Sequence, residues 1–217
     1  MVILINRYLK ALLNFLNLIY CYKFHKLNPK QMKKTILLVV LIAFYAINSF
    51  AQNDEMKKWM DYMTPGKEHK EFAKMDGDWT YTSKMWMDPT SEPQTSTGEA
   101  KCEMLLGGRY SQMTVSGKMM GMDFKGIGIT GFDNGKKIYI STWMDNFGTG
   151  LMYMEGKYDD ASKKIIFTGK MYDPMAGKDV DYKETFKIVD DKTCEMEMFY
   201  ISDGKEFKNM EIKYTKK

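Results

Sequence analysis

From Trp79 to the C-terminus polar and apolar residues alternate with a period of two, and turn-forming clusters interrupt the alternation at short, regular intervals. The interruptions are DPTSEPQ, LLGGR, GKMMGM, FDNGKK, DNFGTG, YDDASKK, DPMAGK, VDDKT and SDGKE. A period of two separated by Gly, Asn, Asp and Pro clusters reads as β-strands joined by turns, so nine connections imply ten strands. The clearest alternation sets Val180, Tyr182, Phe186 and Ile188 against Asp181, Lys183, Thr185 and Lys187, giving one wet face and one buried face. The connections are short enough only for antiparallel neighbours, and an open sheet of this size would expose unpaired edges, which closure removes. The expected fold is therefore all-β: an antiparallel up-and-down barrel of about ten strands over residues 77–217. Asn134-Gly135 reads as a two-residue type I′ hairpin, because both central residues of that turn need positive φ.

One or two short helices are expected before the barrel, within 52–76. Met56, Trp59, Met60 and Met63 fall at i, i+3, i+4 and i+7, and Thr64-Pro65-Gly66 ends that stretch. Lys67 to Met75 predicts a second helix with Phe72, Ala73 and Met75 facing inward and His69 one turn earlier. The segment 137–145 is apolar on both faces, with Ile138, Ile140 and Met144 opposite Tyr139 and Trp143. The Trp59 helix is the expected cover for its outer side.

Upstream, Met32 opens MKKTILLVVLIAFYAINSFAQ, a basic pair, an apolar run from Ile36 to Ile47 and small residues at Ser49 and Ala51. These are the three parts of a secretory signal peptide, with cleavage between Ala51 and Gln52. The run is shorter than the roughly 20 residues that span a bilayer, so no lasting membrane span is expected. Residues 1–31 contain no Asp or Glu and read as a mis-assigned extension ahead of the true start. Residues 1–51 hold seven of the 32 Lys and Arg and none of the 28 Asp and Glu, leaving 25 − 28 = −3 for the exported chain. A periplasmic or secreted protein without a basic stripe is not expected to bind nucleic acid.

Gly77-Asp78-Trp79, at the head of the first strand, resembles the Gly-x-Trp of lipocalins and their calycin relatives, where the Trp plugs the barrel's closed end. In that family an Arg of the last strand packs on the Trp; here Lys216 or Lys213 stands in its place. Over residues 65–217, GKEHKEFAKMDGDW, WMDPTSEPQTSTGEA, MLLGGRY, MMGMDFKGIGITGFDN, STWMDNFGTG, DPMAGK and DGKEFKNMEI occur in an order similar to the bacterial family known as domain of unknown function 1579. The resemblance implies a calycin-like barrel and carries over no catalytic residues.

No Ser elbow, phosphate-cradling Gly loop or zinc-binding His pair is present, and the carboxylates fall mostly in turns or on wet faces. No metal or cofactor is expected, and a binding module is favoured over an enzyme. The expected ligand is a small, mostly apolar molecule held between the strands and beneath Lys67 to Met75. His69, Arg109 and Asp145 are the candidate polar anchors, with Trp86 and Trp143 as walls. Gly126 and Gly128 either leave room for that ligand or bend the strand for barrel curvature. An interior void below roughly 300 Å³, the lower end for ligand pockets, would leave this reading without a site. The alternative is a methionine-based copper or oxidant buffer built on Met119, Met120 and Met122 and the Met152/Met154 and Met196/Met198 pairs; a barrel isomerase using His69 comes third. Cys102 and Cys194 share an interior face but sit on the second and ninth strands, about three 4.8 Å spacings apart along the sheet, so two free buried thiols are expected.

Overall fold

The computed structural model describes residues 54–217, together with residues 14, 30, 33, 34, 37 and 38. The expected extension 1–31 and signal segment 32–51 lie almost wholly outside the described residues, as does the cleavage site at Ala51 and Gln52. The chain divides into two compact units, Met1–Met60 and Asp61–Lys217. Residues 54–63 are helical, as their spacing predicts. Their apolar face is not buried: Trp59 is 61% exposed, and Met56, Met60 and Met63 are exposed with it.

In the second unit a short helix, α1 (Lys67–Ala73), leads into ten strands. These are β1 (Gly77–Met85), β2 (Gln94–Leu105), β3 (Tyr110–Met119), β4 (Met122–Asp133), β5 (Ile138–Asp145), β6 (Met152–Asp159), β7 (Lys164–Asp173), β8 (Lys178–Asp190), β9 (Thr193–Ser202) and β10 (Lys205–Lys216). Each pairs antiparallel with its sequence neighbours, and β10 returns to β1, closing the barrel. All nine expected connections are hairpins. Trp79, Tyr81 and Ser83 are buried while Asp78, Thr80 and Thr82 between them are exposed, which is the pleat's alternation read directly from β1.

The antiparallel order sends the β2–β3, β4–β5, β6–β7 and β8–β9 hairpins to the end where β1 begins, and the other five to the opposite end. α1 closes the first end. Phe72 packs edge-on against Tyr139 at 5.9 Å, and Phe72 and Met75 are buried, whereas Ala73, expected to face inward, is exposed. Trp79 is 1% exposed, and its indole Nε1 donates to the Met75 carbonyl at 2.7 Å. Of the two candidate lysines it is Lys216 that packs on Trp79: its Nζ lies 5.4 Å from the Trp79 ring centroid and donates to the Lys74 carbonyl at 3.0 Å.

The Asn134-Gly135 hairpin is not a two-residue type I′ turn. Asp133 Oδ1 accepts from the N–H groups of Gly135 and Lys136 at 2.7 and 3.0 Å, and the loop closes one residue later, where Lys137 takes φ +58° and donates to the Asp133 carbonyl. An acceptor side chain ahead of the pair thus selects a longer turn. The same closure recurs at Asp159 with Lys163 and at Asp173 with Gly177. Asn134 is left to donate to the carbonyls of Asp61, Tyr62 and Thr64.

Cys102 on β2 and Cys194 on β9 have β1 and β10 between them, and both thiols are free and buried. Burial pushes each up to about 12, which removes the thiolate on which cysteine reactivity depends.

Candidate binding cavity

The inward side chains leave a cavity of about 240 Å³. Its floor is Phe72 and Met75, the two residues with which α1 and its C-terminal turn stop the closed end. Its walls include Tyr81, Met113, Trp143, Phe167 and Met198, and it reaches the hairpin end beside Met85, Met119 and Phe147. The opening is therefore at the end opposite α1, so the expected lid is the floor. At 240 Å³ the void is smaller than the 300 Å³ set above, so the binding reading as expected from the sequence has no site here, and the space admits only a molecule smaller than an ordinary pocket ligand.

Large side chains seated on strand glycines account for much of the missing volume. A Cβ on Gly126 would lie 2.2 Å from Trp143 Cζ2, and one on Gly128 would lie 3.2 Å from Trp143 Cε3. The indole packs across these two positions, so neither glycine leaves room for a ligand, and Gly126→Leu would collide with Trp143 instead of filling a void. Tyr81 uses Gly98 and Gly117 in the same way, with its hydroxyl 2.4 Å from where a Gly117 Cβ would sit. Packing an aromatic over a glycine on a neighbouring strand preserves curvature and contact together.

Trp143 and Asp145 are brought together at the mouth. Trp143 Nε1 donates to Asp145 Oδ2 at 2.8 Å, and the Phe147 N–H donates to Asp145 Oδ1 at 2.9 Å, so both carboxylate oxygens are engaged. Phe124 stacks on Trp143 at 6.3 Å, and Phe147 meets Phe124 edge-on at 5.4 Å. Asn146 ties the same loop to β4: its Nδ2 donates to the Asp123 carbonyl and its Oδ1 accepts from the Lys125 N–H, both at 2.8 Å. Around this end the hairpins carry exposed apolar side chains, among them Met87, Met120, Leu151 and Met175.

The other three candidates lie elsewhere. His69 is buried beneath α1, with Phe132 edge-on at 6.1 Å; its Nδ1 accepts from the Gly66 N–H at 3.0 Å, and desolvation lowers its pKa. Its nitrogens serve the backbone at the closed end and do not line the cavity. Arg109 donates to the Leu106 and Met63 carbonyls at 2.9 and 2.7 Å, fastening the β2–β3 hairpin to the segment before α1. Trp86 follows inward Met85 and lies on the barrel's outside, with Lys208 Nζ 5.2 Å from its ring centroid. The methionine pairs belong to the core: Met152, Met154 and Met198 are buried and Met196 packs on them, while Met120 and Met122 are exposed. Among the described residues no group of three or more His, Cys, Asp and Glu converges.

Glu184 is the functional candidate that the alternation conceals. It belongs to the inward series Val180, Tyr182, Phe186 and Ile188, pairs across the sheet with Phe167 and Met198, and lines the cavity. It is half-buried. Burial pushes its carboxyl up to about 7, and no opposing charge brings it back. Its signal was a charged residue in an otherwise apolar inward series.

Residues 64–216 match the family described as "Protein of unknown function (DUF1579)". Among solved structures the chain is similar to Rv2717c from M. tuberculosis, at 11% identity and a TM-score of 0.52, over 71% of this chain and 99% of that one. At that identity the likeness extends to the fold alone. No curated protein matches the chain.

Proposed function

Because the chain belongs to the DUF1579 family, described only as of unknown function, we propose a function from its cavity: an exported barrel that binds one compact, mostly apolar molecule no larger than a single ring with a short tail. The observation that carries this reading is the 240 Å³ void walled by aromatic and methionine side chains. An apolar cavity of about 150 Å³ already admits benzene, so a void of this size suits a one-ring ligand and not a long acyl chain. The exposed apolar side chains at the open end offer such a molecule a route in.

The test is calorimetric titration of the full chain with 2-phenylethanol, alongside the cavity-filling variant Ser141→Leu. Saturable one-to-one binding that the variant abolishes while remaining folded is expected. Absence of binding, or binding indifferent to Ser141→Leu, overturns the reading. Export rests on the segment 32–51. Intact-mass measurement of protein recovered from outside the cytoplasm is expected to show a chain beginning at Gln52, and a mature mass that retains residues 32–51 refutes cleavage.

A further inference from the structure

An unpaired carboxyl inside an apolar barrel is costly unless something in the working state answers it. Glu184 makes no hydrogen bond or ion pair with any described residue, although the remaining cavity carboxylate, Asp145, has both oxygens occupied. No Lys, Arg or His lines the cavity. The ionisable groups that share the cavity wall with Glu184 are Tyr81, Tyr214 and Asp145, none of them a base, while the nearby bases lie outside it: Lys183 pairs with Glu206, and Lys216 sits over Trp79 at the closed end. β7 contributes only apolar side chains and glycine opposite it. Tyr214 feels the Glu184 charge directly, which helps to hold its phenol neutral. Across the cavity, three to five strands away around the circuit, Ser141, Thr130 and Ser111 stand side by side in register on β5, β4 and β3 and line the same cavity.

From this geometry we infer that the cavity selects a small primary amine, whose ammonium group pairs with Glu184 while its apolar body lies among the aromatic and methionine walls. The inference rests on the cavity-binding reading above and names its ligand class. Two features favour an ammonium over a neutral hydrogen-bonding group. The cavity holds two carboxylates and no base, so a single positive charge is the complement it lacks. The aromatic rings of Tyr81 and Phe167 in the cavity wall also attract cations, more strongly where water is excluded. A ligand carrying its own carboxylate would meet like charge at Glu184 and is excluded.

The probes are phenethylamine and 2-phenylethanol, nearly equal in size and differing in the terminal group. With the full chain at pH 8, phenethylamine is expected to bind at least about tenfold tighter, the ordinary margin for a desolvated charge-assisted hydrogen bond. Glu184→Gln removes the charge at nearly constant volume and is expected to erase that preference without weakening 2-phenylethanol binding. In the wild-type protein the amine's affinity is expected to rise several-fold between pH 6 and pH 8 as Glu184 ionises; Tyr81, Tyr139, Tyr182, Tyr214, Cys102 and Cys194 are all raised by burial and stay neutral over that range. This second readout needs no variant to fold. Binding of 2-phenylethanol with no preference for the amine, or a preference that survives Glu184→Gln, overturns the inference and leaves the cavity reading standing. If neither probe binds, both fall.

Discussion

Trp79→Ala is expected to destabilise the chain by about 4 kcal/mol, the usual range for truncating a fully buried Trp being about 3–5 kcal/mol. Trp79 is 1% exposed and sits where α1, β1, β2 and β10 converge, so no side chain is free to move into the space it would vacate. Truncation also orphans the Met75 carbonyl, which accepts from the indole at 2.7 Å, and leaves Lys216 without the ring beneath its ammonium. Trp79→Phe separates the two contributions. It restores most of the volume but not the donor, so its cost is expected near 1–3 kcal/mol, the penalty for an unsatisfied buried acceptor. Urea unfolding of the three proteins measures both. A loss below about 1 kcal/mol for Trp79→Ala would mean that the closed end does not depend on this plug. Domains of this kind are stable by only about 5–15 kcal/mol, so the expected loss is a large share of the total.

How much of the molecule the sequence discloses depends on the range of the interaction involved. The strand count was legible because each turn is a local event: nine clusters of turn residues are nine hairpins, and the strand order that separates Cys102 from Cys194 follows from them. Turn type was less legible, even locally, since Asp133 captures the N–H groups of Gly135 and Lys136 and overrides the preference of Asn134-Gly135. Which end of the barrel is open was not legible at all. Alternation specifies inside and outside but not top and bottom, and the ligand for which His69 and Arg109 were candidate anchors was expected beneath the segment that closes the barrel. The void's size depends on how side chains from different strands interlock. Gly126 and Gly128 look like empty space along β4 and are filled by Trp143 from β5. Trp143 and Asp145 both line the cavity, because β5 pairs with β4 without a register shift and a spacing of two keeps them on one face. Glu184 obeys the same rule, and only the assumption that carboxylates belong on wet faces concealed it.

Glu184→Gln is expected to stabilise the chain in a pH-dependent manner, and the dependence isolates the buried carboxyl from every other contribution. In the unfolded chain a Glu has a pKa of 4.5, whereas burial raises that of Glu184 to about 7. Below pH 4.5 both states hold the proton, so ionisation costs the native state nothing. Between 4.5 and 7 the unfolded chain has released its proton while the native state retains it, so native stability falls by about 1.4 kcal/mol per pH unit. Above pH 7 both states are ionised and the loss levels off at about 3 kcal/mol. Glu184 is half-buried on the cavity wall, so any water the cavity admits screens this penalty and makes about 3 kcal/mol its upper bound. Gln has no such titration. Any cost of burying its carboxamide is constant with pH and shifts the whole comparison without tilting it. The difference in unfolding free energy between Glu184→Gln and wild type, measured by urea denaturation in the absence of ligand, is therefore expected to rise by up to about 3 kcal/mol from pH 4 to pH 8, in favour of the variant. A difference that stays flat over that range would show that the Glu184 carboxyl is hydrated in the native barrel, and would remove the physical basis for its recognising an ammonium group. A variant more stable than the wild type yet indifferent to amines would instead identify Glu184 as a residue kept at the expense of stability for the sake of its ligand.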